Sequence, residues 1–191
     1  MPRVLTHREL RKIPMKAKRP KTVLLLIVVF AWSFLKGIEL LARGSSAADR
    51  MLYDEVGIGW LALTLLTVIA LLDLAAVKYL IKPAPIGRVV CLASIGLSAV
   101  QTSIGFAIAR TYPDVARRAF VGSRSSRGLS VQAEAIDAAV DPTTLLLLLC
   151  GSLVVSGVLA LLVIQNRNYF LRSVSVPSNI PKTRSGAGTT S

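Results

Sequence analysis

Four long apolar blocks constrain this chain more than any other feature of its sequence. The blocks are Thr22–Ala42, Val56–Val77, Val89–Ala109 and Thr143–Ile164. Their hydrophobicity is continuous rather than alternating, which indicates helices rather than strands. A helix of about 20 residues spans the roughly 30 Å of hydrocarbon in a bilayer. The expected membrane-crossing helices lie at about 22–42, 56–80, 88–110 and 143–165.

The fold class predicted from these blocks is an all-α membrane protein, a four-helix transmembrane bundle with up-down-up-down connectivity. Every crossing must be a helix because lipid offers no partner to an unpaired backbone amide. A short turn with two prolines, Lys82–Gly87, makes helices two and three antiparallel neighbours. We expect a basic segment at 1–21, the bundle at 22–170 and a disordered tail, rich in Ser, Thr, Pro and Gly, at 171–191.

The charge of the chain is segregated from its apolar residues. Of 191 residues 53% are hydrophobic, yet the net charge is +13. An ordinary soluble domain has about 45–50% apolar residues. Because the basic residues flank apolar blocks, anionic lipid headgroups at the N-terminus explain them better than nucleic acid does.

The distribution of Lys and Arg predicts the orientation in the membrane. Residues 1–21 carry eight basic side chains, and the tail and the turn around Lys82 are also basic. The segments 43–56 and 111–142 carry at least as many acidic as basic residues. The positive-inside rule then places both termini in the cytoplasm. Blocks rich in Ala, Leu and Val, without an Asn-x-Ser/Thr site, favour a bacterial inner membrane.

Two further expectations concern the membrane boundaries. Aromatic side chains should form interfacial belts. The expected belt residues are Tyr53, Trp60 and Tyr112 on the outside, and Tyr79, Tyr169 and Phe170 on the inside. The first block also imitates a secretory signal, but Lys36 and Glu39 interrupt it before the small residues at 45–47, so an uncleaved anchor is favoured.

The outer loop 111–142 is long enough to form structure of its own. Pro113–Phe120 and Ser130–Val140 are expected to be short helices, joined by a flexible link at Ser123–Gly128. Asp141 and Pro142 then suit the N-cap and first position of the fourth long helix.

Ionisable groups inside the apolar blocks are the candidate functional residues, because each costs about 2.5–3.5 kcal/mol at the middle of a membrane helix. Lys36 and Glu39 are three residues apart and can pair. Asp73 is too short to reach the headgroups and needs a partner, such as Ser94, Ser156 or a basic residue near the interface. The candidate polar site comprises Asp73, Lys36, Glu39 and Gln101.

Polar and small residues also recur at helical spacing. Thr67, Gln101 and Ser152 lie at the estimated depth of Lys36, which predicts an interior polar layer. Small side chains at steps of three or four allow close helix packing. The expected packing residues are Ser94, Ser98, Gly105, Ser152 and Ser156.

No pattern for catalysis, cofactor binding or metal binding is present in the sequence. Cys91 and Cys150 fall at different estimated depths, too far apart for a disulfide, and the single histidine is His7. We therefore expect a non-enzymatic protein without a cofactor, acting as an accessory subunit or a homo-oligomer. The alternative is a small transporter or channel that uses Glu39 or Asp73.

Overall fold

The computed structural model describes residues 20–44, 48–130 and 132–171. These ranges are helical, with no strand among them. The helices are α1 (Lys21–Arg43), α2 (Ala48–Glu55), α3 (Gly59–Ile81), α4 (Pro85–Thr111), α5 (Pro113–Ser125), α6 (Ala133–Val140), α7 (Pro142–Gln165) and α8 (Arg167–Leu171).

Four of these helices are long and apolar enough to cross a membrane. They are α1, α3, α4 and α7, with mean hydropathies between 1.7 and 2.8. The expectation of an all-helical membrane protein with four such helices is confirmed. The basic N-terminal segment and the tail lie almost wholly outside the described residues.

The helix ends follow local chemistry. The carboxylate of Asp141 accepts hydrogen bonds from the backbone amides of Thr143 at 2.9 Å and Thr144 at 3.1 Å. It thus satisfies two amides that the first turn of α7 leaves unpaired, and the predicted N-cap is confirmed. Proline occupies the first turn of α4, α5 and α7, where a missing amide hydrogen costs nothing. The helix α2 was not expected from the sequence.

The long helices pack in chain order. The helix α1 packs on α3, α3 on α4, and α4 on α7. The remaining pair, α1 and α7, makes few contacts. One contact between them is a hydrogen bond from the Thr22 hydroxyl to the side-chain oxygen of Asn166, at 3.1 Å.

One end of the bundle, which we call the turn end, contains the α3–α4 turn and the start of α1. Val23, Leu80, Cys91 and Val163, one residue from each long helix, belong to a single buried cluster there. Phe170 of α8 belongs to the same cluster. Phe170 and its neighbour Tyr169, expected in the inner belt, are buried in this cluster. The Tyr169 hydroxyl donates a hydrogen bond to the Leu80 carbonyl at 2.7 Å.

The opposite end, which we call the cap end, is covered by α2, α5 and α6. The helix α2 packs on α5, and a Cβ added at Gly122 would lie 2.4 Å from Met51. Arg118 forms an ion pair with Glu55 at 2.9 Å across the same contact. Tyr53 of α2, expected in the outer belt, is 1% exposed and packs against Ala62 and Ile108.

Both short helices expected in the outer loop are present, and the first is longer than expected. A helix was expected at Pro113–Phe120, and α5 continues to Ser125. The second expected helix is present as α6, and Gly128 between them has a φ of 67°, a conformation that favours glycine.

Candidate functional site

The most deeply buried charged side chain among the described residues is Asp73, which is 1% exposed in the middle of the bundle. Its Oδ2 accepts a hydrogen bond from the Ser33 hydroxyl of α1 at 2.5 Å. Its Oδ1 accepts another from the Ser94 hydroxyl of α4. One carboxylate on α3 therefore links three of the four long helices.

The partners of Asp73 were predicted in part. The hydrogen bond with Ser94 was expected from the similar estimated depth of the two residues, and it is present. Ser156 is half-buried and does not contribute a hydrogen bond to this carboxylate. Ser33 was not among the partners expected from the sequence. Its position in the middle of the first apolar block, about 6 Å in estimated depth from Asp73, was the available signal.

A second polar group lies on α1 towards the cap end. The Lys36 ammonium donates to Glu39 at 2.7 Å, and Arg43 donates to the other oxygen of the same carboxylate. Lys36 also lies 5.4 Å from the centre of the Trp32 ring, a cation–π distance. Glu39 and Arg43 are each 37% exposed, and Lys36 is 51% exposed. The expected pairing of Lys36 with Glu39 is confirmed.

A cavity of about 500 Å³ lies between the long helices in the half of the bundle nearer the cap end. Ser33, Lys36, Ser98, Gln101 and Thr102 are its polar lining residues, and neither Asp73 nor Glu39 lines it. The remaining lining residues are apolar or glycine and come from α1, α2, α3, α4, α5, α6 and α7. Part of the helical cap therefore forms a wall of the cavity.

Gln101 is the large uncharged polar side chain of this cavity. Its backbone carbonyl accepts a hydrogen bond from the Tyr53 hydroxyl at 3.1 Å, which fixes α2 against α4. The side-chain amide of Gln101 has no hydrogen-bond partner in the described part of the chain. An amide at the depth of a membrane interior is costly unless it is hydrogen-bonded.

The predicted polar layer at the depth of Lys36 is not formed. Thr67 is exposed, and its hydroxyl donates to the Leu63 carbonyl one turn earlier at 2.8 Å. A hydroxyl satisfied by its own helix has no need of an interior partner. Ser152 is half-buried but does not line the cavity. Only Lys36 and Gln101 of the expected layer lie on a common surface.

The expected packing residues divide into three groups. Ser94 is buried, Ser98 and Gly105 line the cavity, and Ser152 and Ser156 are half-buried. A close approach between α1 and α3 was not expected from the sequence. A Cβ added at Gly37 would lie 3.3 Å from the Cβ of Ala70, so these two small residues bring the helices together.

No group of three or more His, Cys, Asp and Glu side chains that could hold a metal ion is found within residues 20–44, 48–130 and 132–171. Of the two cysteines, Cys91 is buried and Cys150 is exposed, and both are free.

Comparison of the chain with protein-family models, curated proteins and solved structures finds no match. The proposed function therefore rests on the geometry of the site.

Proposed function

We propose that this chain is a non-enzymatic, multi-pass membrane protein that acts as an oligomeric or accessory component of its membrane. The observation that carries the proposal is the engagement of the two carboxylates of the long helices, Asp73 and Glu39, with neighbouring side chains. Asp73 links α1, α3 and α4 through two serines, and Glu39 is held between Lys36 and Arg43. We take both carboxylates to be structural rather than substrate-binding, because Asp73 joins three helices and Glu39 is paired within its own helix.

The helix α7 supports association with a second copy of the chain. Only 6% of its most apolar window is buried, against 33% for α3. A Cβ added at Gly151 or Gly157 would meet no other atom within 4 Å, so both glycines leave room for a close helix contact. Cys150 is exposed on the same helix and offers a natural probe of such a contact.

Copper-phenanthroline oxidation of native membranes tests this association. We expect a disulfide-linked dimer through Cys150, which the Cys150→Ser variant abolishes and the Cys91→Ser variant retains. A matched control is Val28→Cys in the Cys150→Ser background, because Val28 is 64% exposed but lies on α1. Monomers alone, or equal cross-linking through position 28, would contradict the proposal.

The membrane arrangement that we propose is up-down-up-down in a bacterial inner membrane, with both termini in the cytoplasm. It is supported by the meeting of Val23, Leu80, Cys91 and Val163 in one cluster, since these residues begin or end successive long helices. The basic N-terminal segment would then face anionic headgroups. A reporter that is active only in the periplasm, fused after Ser185, should be inactive, and activity there would overturn this topology.

Transport or channel activity through Glu39 or Asp73 is the alternative. Such a mechanism needs a carboxylate that reaches a water-filled path, and neither residue lines the cavity. Liposomes containing the purified protein and a pH-sensitive dye separate the two proposals. We expect no proton flux above that of empty liposomes, and a flux that Asp73→Asn abolishes would favour the alternative.

A further inference from the structure

The cavity has the size and lining of a ligand site. Its volume of about 500 Å³ lies within the range of roughly 300–1,000 Å³ that is usual for small-molecule pockets. Its wall near the cap is apolar and includes Phe106, Ala109, Ala116, Phe120 and Val140. A water molecule needs two to four polar partners, and these side chains offer it none. The favoured occupant is therefore largely apolar.

The opposite part of the lining is polar. The Gln101 side-chain amide, unpartnered within the described residues, adjoins the cavity together with Ser98 and Thr102 of the same helix. An occupant with a hydrogen-bonding group at this position would satisfy the amide. The cavity thus combines an apolar region with a separate polar region, which is the pattern of an amphiphile.

The electrostatics of the lining indicate the sign of the polar group. Lys36 is the one charged side chain among the described residues that line the cavity. The Glu39 carboxylate that pairs with Lys36 does not line the cavity, so the charge at the lining is that of the ammonium. A carboxylate or phosphate near Lys36 is favoured, and an ammonium group is disfavoured.

The two long helices with few mutual contacts, α1 and α7, both line the cavity. The helices α1 and α7 are linked at the turn end by Thr22 and Asn166 and make few contacts elsewhere. Nearer the cap end, the cavity has Leu40 of α1 on one side and Leu145 and Leu149 of α7 on the other.

From these observations we infer that the cavity binds a single-chain amphiphile with an anionic head group. The acyl chain occupies the region under the cap, and the head group lies near Lys36 and Gln101. A fatty-acid carboxylate and a lysophospholipid phosphate share this chemistry. The inference goes beyond the role proposed above and does not depend on it, since an oligomer and a monomer present the same cavity.

Fluorescence of cis-parinaric acid on the full chain, purified in nanodiscs of zwitterionic lipid, measures the binding. Oleate and 1-oleoyl-lysophosphatidate should displace the probe at concentrations about ten-fold lower than uncharged monoolein, as expected for one charge-assisted hydrogen bond. Oleylamine should be weaker still. The more potent of the two anions identifies the head group. Equal potency of the anionic, uncharged and cationic amphiphiles would overturn the inference.

Two glycines of α4 give a matched pair of variants. Gly105 lines the cavity, and a Cβ there has only the Tyr53 hydroxyl within 4 Å, at 3.9 Å. Gly105→Leu should fill the space and reduce binding of cis-parinaric acid by at least about ten-fold. Gly96 is exposed on the same helix with no atom within 4 Å of an added Cβ, so Gly96→Leu should bind as the wild type does.

Wild-type affinity in the Gly105→Leu protein would overturn the inference, as would an equal loss in the Gly96→Leu protein.

Two further variants keep the test valid if Gly105→Leu fails to fold. Gln101→Leu should weaken every amphiphile by about ten-fold, because the hydrogen-bonding amide is lost. Lys36→Met should remove the preference for anions while the affinity for monoolein is retained. Unchanged affinities and an unchanged preference in both variants would contradict the proposed head-group position.

Discussion

The four long apolar helices pack differently at the turn end and at the cap end of the bundle. At the turn end, residues from all four long helices and from α8 join one buried cluster, and Gly87 packs against the Phe170 ring. Nearer the cap end the long helices surround a cavity, and three short helices supply part of its wall. Asp73 lies between these two regions and links three helices.

We therefore expect the residues that determine stability and those that determine ligand binding to lie in different parts of the bundle. At the turn end and around Asp73 the space is filled, so a substitution that adds volume or removes a hydrogen bond disturbs the packing. The cavity accepts added volume at Gly105, and the Gln101 side-chain amide beside it has no hydrogen-bond partner among the described residues. We therefore expect substitutions in the two regions to have different effects, and the predictions below are ordered from the largest expected change to the smallest.

The largest loss of stability is expected for Asp73→Ala. This variant removes two hydrogen bonds between helices and leaves the hydroxyls of Ser33 and Ser94 without their acceptor. Hydrogen bonds to charged groups contribute about 1.5–3 kcal/mol each, and less between membrane helices, so we expect a total loss of about 2–3 kcal/mol. Unfolding in mixed micelles with increasing SDS measures it.

Asp73→Asn is the matched control for that variant. The amide has the same shape and can hydrogen-bond both serines, and it removes a buried charge. We expect stability at least equal to that of the wild type. A loss as large as that of Asp73→Ala would show that the amide cannot replace the carboxylate as partner of the two serines, and would contradict this expectation.

A pair of glycine-to-alanine variants on α4 compares the two regions directly. At Gly87 an added Cβ would lie 2.6 Å from the Cβ of Tyr79 and 3.1 Å from the Phe170 ring. Gly87→Ala should therefore cost about 1–2 kcal/mol through overpacking. At Gly105 the space is open, so alanine should stabilise the helix by roughly 0.5 kcal/mol. Effects of the same sign and size in both variants would remove the distinction between the regions.

The smallest effect is expected for Tyr53→Phe. The variant loses the hydrogen bond from the Tyr53 hydroxyl to the Gln101 carbonyl and keeps the buried ring, so the cost should be about 0.5–1 kcal/mol. Hydrogen exchange should increase in α2 and remain unchanged at the turn end. Tyr112→Phe is the control, because Tyr112 is about half exposed and should be neutral. Faster exchange throughout the bundle would show that the two regions are not independent.

The sequence predicted the features that depend only on position along the chain. Apolar length located the four long helices, and local capping chemistry located Asp141 at the start of α7. Estimated depth along each helix identified Ser94 as a partner of Asp73. Each of these follows from the rise per residue or from neighbours a few positions away.

The features that were missed depend on how each helix is rotated and which helix lies beside it. The contact of Gly37 with Ala70, the burial of Tyr53 and the bond from Ser33 to Asp73 all need that information. Thr67 lies at the estimated depth of the expected polar layer but on an exposed face of its helix. The cavity is a property of several helices together, and no single segment carries a signal for it.

Thermal unfolding of three proteins, each with and without 1-oleoyl-lysophosphatidate, tests the separation of stability from binding most directly. The wild type should be stabilised by the amphiphile, because a ligand that binds only the folded state raises the melting temperature. Asp73→Ala should melt at a lower temperature and keep the ligand-induced increase. Gly105→Leu should melt near the wild type and lose that increase. A variant at position 73 that loses the increase, or one at position 105 that keeps it in full, would contradict the account.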